Sequence, residues 1–206
     1  MTPTPLTAVL RLGFGLLALA AIGWQLWLHV GLKFSVPNFF SFFTNLSNLI
    51  AAGVLVAGAL RQWAGARASP AFETLRAVAA TCMLVVGVVF VALLRDVDLG
   101  ALRPWVNSVL HHVMPVVLVL DWLVWPPRPA VGLRPLRWVL AWAMLYLVYT
   151  MLRGAAVGWY PYPFLNPANV GGYGGVAVYA VGIALTFGLA GWALMALARR
   201  RVRPMA

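Results

Sequence analysis

The chain is 206 residues long, 63% hydrophobic and only 9% charged, yet it carries a formal net charge of +11. A soluble domain holds roughly 25% charged residues, so composition excludes a water-soluble globule and points to helices that live in a bilayer. Basic residues in the loops are the expected topology signal of such a protein, and no soluble basic domain is present to hold a duplex, which excludes nucleic acid as the partner.

The apolar runs predict an all-α, polytopic membrane protein of six transmembrane helices, forming a single domain over residues 1–206. A transmembrane β-barrel would show short alternating segments instead. The first span is expected near 6–28; its Ala18-Leu19-Ala20 resembles a signal-peptidase site, but the apolar run continues past it, so an uncleaved helix is predicted. The second is expected near 39–62, the third near 72–94, the fourth near 104–125, the fifth near 136–153 and the sixth near 175–198, each about 20 residues. Pro- and Gly-rich stretches, "ARASP", "PPRPAVGLRP" and "GWYPYPFLNPANVGGYGG", separate several of them. The one cysteine, Cys82, lies within an apolar run and reads as a small buried hydrophobe.

Charge predicts the orientation. Arg11, Arg61, Arg67, Arg76, Arg128, Arg134, Arg137, Arg199, Arg200, Arg201 and Arg203 fall on one side; Lys33, Arg95, Arg103 and Arg153 fall on the other, with Asp96 and Asp98 beside two of them. Both termini are therefore expected in the cytoplasm, with the "ARRRVRP" tail as a topology anchor that attracts anionic headgroups. Of the fifteen basic residues only Lys33 is a lysine, a habit of GC-rich bacterial genomes, and the expected location is a bacterial cytoplasmic (inner) membrane.

Polar side chains then stand out. In "FFSFFTNLSNLI" the residues Ser41, Thr44, Asn45 and Asn48 share one helical face, with Ser47 beside Thr44. In "WVNSVLHHVMPVVLVLDWL" Asn107 and His111 are one turn apart on another face. Counted from the outer side, Thr44 is expected about 8 Å deep and His111 about 10 Å deep. The two meet if the second and fourth spans are neighbours. A histidine within a span is a functional-site hypothesis by default. Neutral imidazole can accept the proton of a threonine hydroxyl and turn it into a nucleophile, and Asn45, Asn48 and Asn107 are candidates to orient the base or stabilise an oxyanion. The structural alternative is that these groups merely bind helix to helix.

The ordered segments "FFTNLSNLI", "WVNSVLHHVMPVVLVLDWL" and "GWYPYPFL" resemble the androgen-induced, FAHFA-hydrolase family of six-helix membrane proteins, in its bacterial branch (FAHFA denotes fatty-acid esters of hydroxy fatty acids). The resemblance implies hydrolysis of lipid esters by an intramembrane threonine nucleophile, Thr44, and a histidine base. The family's Asn-to-His spacing and its acidic residue ten positions further on favour His111 over His112 and fall on Asn107 and Asp121.

Asp121 lies ten residues from His111, about 15 Å along a straight helix. A pair with Arg128, Arg134 or Arg137 is its expected role, not membership of a triad. His29, Arg153, Tyr160 and Tyr162 are candidates for binding substrate at the outer side; as plain alternatives, His29 is interfacial, Arg153 snorkels and the tyrosines form an aromatic belt. No metal is expected from three histidines without clustered carboxylates or thiolates, and no cofactor. The expected partners are membrane lipids or lipid esters. Competing readings are a non-catalytic lipid-binding or transport protein and, with less support, a haem carrier using His29 with His111 or His112.

Overall fold

The computed structural model describes residues 4–67, 69–97, 100–127 and 131–202. Asp98, Arg128 and Arg203 of the charge pattern lie outside the described residues. All regular structure among the described residues is helical. The helices are α1 (Pro5–Gly31), α2 (Val36–Phe40), α3 (Phe43–Trp63), α4 (Pro70–Leu94), α5 (Pro104–Val124), α6 (Arg134–Val157) and α7 (Tyr173–Val202). All but the short α2 are long and apolar enough to cross a membrane, the architecture of an integral membrane protein.

Local sequence explains where the helices begin and end. Proline occupies the first turn of α1, α2, α4, α5 and α6, where its missing N–H costs no hydrogen bond. Ser69 caps α4 by accepting from the Phe72 N–H. At the other end of α6, Gly158 adopts φ +69°, and its N–H donates to Gly154 O.

α4 is the hub of the bundle, packed against α3, α5, α6 and α7, while α1 lies along α3. In α3 61% of the apolar window is buried, against 22% in α6 and α7, so the last two helices present most of their surface to lipid. The α1–α3 seam is lined by small residues. Ala8, Ala18 and Ala21 of α1 and Ala51, Ala52 and Ala59 of α3 are fully buried. Small side chains let backbones approach closely, which replaces the hydrophobic driving force missing between helices in lipid. Gly15 sets the closest approach: a Cβ there would lie 2.8 Å from Val56 Cγ2 and 3.2 Å from Ala52 O. Gly15→Leu is therefore expected to destabilise the protein by about 1–3 kcal/mol, read as a lowered thermal midpoint in detergent, whereas Gly13→Leu, with open space around its Cβ, leaves it unchanged.

At the arginine-rich end, Asp121 of α5 is buried between two guanidinium groups. Arg11 Nε donates to Oδ1 at 2.6 Å and Arg76 Nη2 donates to Oδ2 at 2.8 Å. Arg76 also donates to Glu73 Oε2 at 2.7 Å and to the carbonyls of Asp121 and Trp125, and Arg11 Nη1 reaches Gln62 Oε1. This corrects the partners expected for Asp121. Arg11 and Arg76 look like topology charges in the sequence, but they sit inside their helices on buried faces and reach inward. Arg134 and Arg137 have no carboxylate partner among the described residues.

Candidate functional site

The second span does not run unbroken from Phe39. α2 closes at Ser41, whose N–H donates to Asn38 O and whose Oγ donates to Pro37 O at 2.7 Å. Phe42 is extended (φ −74°, ψ 125°), and α3 starts at Phe43. Thr44 is thus in the first turn of a helix, where backbone N–H groups lack intrahelical partners. No side chain of the N-cap residue, Phe42, supplies them. Two tyrosines do: the Phe43 N–H donates to Tyr146 Oη at 3.2 Å, and the Thr44 N–H donates to Tyr162 Oη at 3.3 Å. Tyr146 in turn donates to Ser41 O at 2.9 Å. The break is therefore held by hydroxyls from α6 and from the loop between α6 and α7.

The fourth span is also irregular. Pro115 has no N–H to offer His111 O, and residues Val109–Val113 form a π turn in which the Met114 N–H donates to Val109 O. Pro115 packs against α4 at Gly87, where a Cβ would lie 3.2 Å from Pro115 Cβ. The wide turn carries His111 to the first turn of α3. His111 Nε2 lies 3.3 Å from Thr44 Oγ1, and His111 Nδ1 lies 3.2 Å from Asn107 O. A carbonyl only accepts, so the proton sits on Nδ1 and Nε2 faces the threonine hydroxyl with its lone pair. Phe90 stacks on the imidazole at 4.2 Å between centroids and fixes the ring. His112 is exposed and meets Phe90 edge-on; of the two histidines, His111 is the one beside Thr44.

The asparagines brace this arrangement. Asn48 is fully buried, and its Nδ2 donates both to Thr44 O at 2.9 Å and to Leu110 O at 3.2 Å, tying the turn of Thr44 to that of His111. Asn45 Nδ2 donates to Phe39 O at 2.8 Å and joins α3 to α2. Asn107 meets His111 through its backbone carbonyl; its own Oδ1 is buried without a partner among the described residues.

Of the outer-side candidates, Tyr162 is brought into the site, with Oη 3.4 Å from Thr44 Oγ1. It is held there by stacking on Phe164 and by the edge of Phe42. Desolvation raises the Tyr162 phenol above its ordinary pKa, so it stays a neutral O–H at physiological pH. Arg153 donates to Asn38 Oδ1 at 2.6 Å and lies over Trp159, while His29 Nε2 sits 2.9 Å from Ser35 O. Tyr160 packs over Gly154. No hydrogen bond joins these three to Thr44 or His111 among the described residues. Haem ligation through His111 would have to displace a hydrogen bond, since both its ring nitrogens are engaged.

An apolar cavity of about 300 Å³ opens beside Thr44, which lines it while His111 does not. Its polar end is Thr44, Tyr146 and Tyr162; its walls come from Val85, Val86 and Val89 of α4, Leu140, Met144 and Leu147 of α6, and Ala180, Ala184 and Phe187 of α7. Leu140 and Met144 are also exposed on the outside of the bundle, so little more than one side chain separates the cavity from lipid along α6. Among the described residues no group of three or more His, Cys, Asp or Glu side chains is close enough to hold a metal ion.

Fold and site together define a six-helix membrane protein with a Thr–His pair whose threonine lines an apolar cavity among the helices. Comparison with protein-family models, curated proteins and solved structures found no match.

Proposed function

We propose that the protein is an integral membrane lipid-ester hydrolase with Thr44 as nucleophile and His111 as general base, belonging to the bacterial branch of the FAHFA-hydrolase-like family that its motifs resemble. The observation that carries this reading is the 3.3 Å approach of Thr44 Oγ1 to His111 Nε2, with Nδ1 committed to a carbonyl. A base within reach of a hydroxyl, itself oriented by a third group, is the signature of an activated nucleophile.

In this reading Oγ1 bonds to the ester carbonyl carbon as its proton passes to Nε2. The tetrahedral intermediate collapses by breaking the ester C–O bond, and Nε2–H protonates the departing alkoxide. Water then repeats the sequence: it gives a proton to Nε2, attacks the acyl–threonine carbonyl, and the proton returns to Oγ1. The Nδ2 groups of Asn45 and Asn48 are already bound to backbone carbonyls, so the hydroxyl of Tyr162 is the better placed donor for the oxyanion. The apolar cavity supports an acyl chain as the group bound beside the carbonyl. Substrates are long-chain esters reached from the lipid, and the site faces the outer side of the bacterial cytoplasmic membrane, a placement supported by the arginines gathered at the opposite end.

The test is incubation of purified protein with an alkyl fluorophosphonate, followed by peptide mapping. An adduct on Thr44 supports the reading; an intact, folded protein that neither labels nor turns over any long-chain ester overturns it in favour of non-catalytic lipid binding, which the same cavity would serve. Tyr162→Phe is expected to lower kcat on the order of 10²-fold with KM little changed, because the lost donor acts on charge that develops only in the transition state. Initial rates across substrate concentration check this.

A further inference from the structure

A second, larger concavity of about 1040 Å³ lies at the arginine-rich end, between α4 and α6. Its body is apolar: Leu75 and Val78 of α4, Ala141, Trp142 and Leu145 of α6, with Ile50 of α3 as its floor. Its mouth is different. The first turns of α4 and α6 both line it, through Ser69 and Pro70 on one side and Arg134, Pro135 and Arg137 on the other. Helix N-termini carry partial positive charge and favour acidic neighbours. The first turn of α6 has none and holds two arginines instead. Glu73, the one acid at the mouth, is taken by Arg76 at 2.7 Å. Neither Arg134 nor Arg137 has a carboxylate partner among the described residues; Arg137 lies over the Trp138 ring at 5.2 Å.

Positive charge is thus concentrated and uncompensated at one end of an apolar trough. The Thr44 cavity is separate, because residues 138, 141, 142 and 145 face the trough and residues 140, 143, 144 and 147 face the cavity across the same helix. A ligand that matches the trough has an anionic head and a long apolar tail. A zwitterionic lipid brings its own cation to the mouth and gains less from the arginines than a lipid with net negative charge.

We infer that the α4–α6 trough binds one anionic phospholipid of the adjoining leaflet, its phosphate between Arg134 and Arg137 and an acyl chain along Val78 and Trp142 toward Ile50. The inference is independent of the chemistry at Thr44.

The test is native mass spectrometry of the delipidated full-length protein offered an equimolar mixture of phosphatidylglycerol and phosphatidylcholine of matched chains. The wild type is expected to retain one phosphatidylglycerol with a preference on the order of tenfold. Arg134→Gln/Arg137→Gln brings the two lipids close to parity, while Arg199→Gln/Arg200→Gln/Arg201→Gln keeps the preference. Ala141→Trp, which fills the trough without touching the arginines, weakens retention of both lipids and serves if the double variant does not fold. The inference is overturned if the wild type shows no preference, if the tail variant loses it, if Ala141→Trp binds like wild type, or if inorganic phosphate stabilises the protein as much as phosphatidylglycerol does.

Discussion

Thr44→Ala is expected to abolish fluorophosphonate labelling and to lower ester turnover on the order of 10³-fold or more, the scale on which nucleophile–base pairs fail when one member is removed. His111→Ala should fall as far, and the double variant no further, because the two groups act as one unit. Thr44→Ser keeps the hydroxyl and should keep measurable turnover. Stability separates this outcome from mere disruption of the fold. The Thr44 backbone carbonyl and N–H, which hold Asn48 and Tyr162, survive the change to alanine, and the lost side-chain hydroxyl is worth about 1 kcal/mol. A Thr44→Ala protein with wild-type helicity, a thermal midpoint within a few degrees of wild type and full activity would sink the hydrolase reading.

Spacing and charge put Thr44 and His111 at similar depth on condition that the second and fourth spans are neighbours, and the family resemblance singled those two residues out; the contact between them is a tertiary fact. The six spans were legible because a bilayer demands about 20 apolar residues each time. What could not be read was how the backbone departs from a regular helix. An unbroken helix through Phe39 to Gln62 satisfies the apolar pattern equally well, and it is the tyrosine hydroxyls brought from α6 and from the loop between α6 and α7, with Asn45 bonded across to Phe39 O, that make the break at Phe42 tolerable. Tyr146 was missed because a tyrosine in a span looks like any aromatic core residue; its position level with the first turn of α3 is a tertiary fact. The π turn around His111 had a visible cause in Pro115, four residues on, but proline alone does not say which way a helix yields. Asn45 and Asn48 were expected to orient the base or stabilise an oxyanion, and the partners of their Nδ2 groups are backbone carbonyls, which no side-chain pattern announces. The same limit misled the pairing of Asp121: loop arginines and buried arginines are identical letters.

Asp121→Ala should be the most destabilising single change, by about 3–5 kcal/mol. The carboxylate has side-chain exposure of 8% and faces Arg11 and Arg76, themselves 10% and 8% exposed. Removing it leaves two guanidinium groups buried side by side, with Glu73 the one remaining acid bound to Arg76. In a bilayer neither can find water without dragging its helix, so α1, α4 and α5 are all affected. Asp121→Asn keeps the shape and can still accept hydrogen bonds but cannot balance the charge, and should lose most of the same stability. The thermal midpoint in detergent checks both. A more pointed control replaces the whole cluster: the triple variant Arg11→Met/Arg76→Met/Asp121→Leu, made in a Glu73→Gln background so that the acid bound to Arg76 is not stranded in its turn, removes the unpaired charges that the single variants create, and buried ion pairs exchanged for apolar residues are often neutral. If the triple variant recovers stability that Asp121→Ala has lost, the cost lay in stranded charge and not in a missing structural contact. Activity then tells the role of Asp121 apart from that of a third catalytic residue. It stands ten residues along α5 from His111, about 15 Å away, and His111 Nδ1 is already bound to Asn107 O. Turnover per folded molecule is therefore expected to stay near wild type in the triple variant, while a fall matching that of Thr44→Ala would mean that the aspartate acts on the imidazole after all.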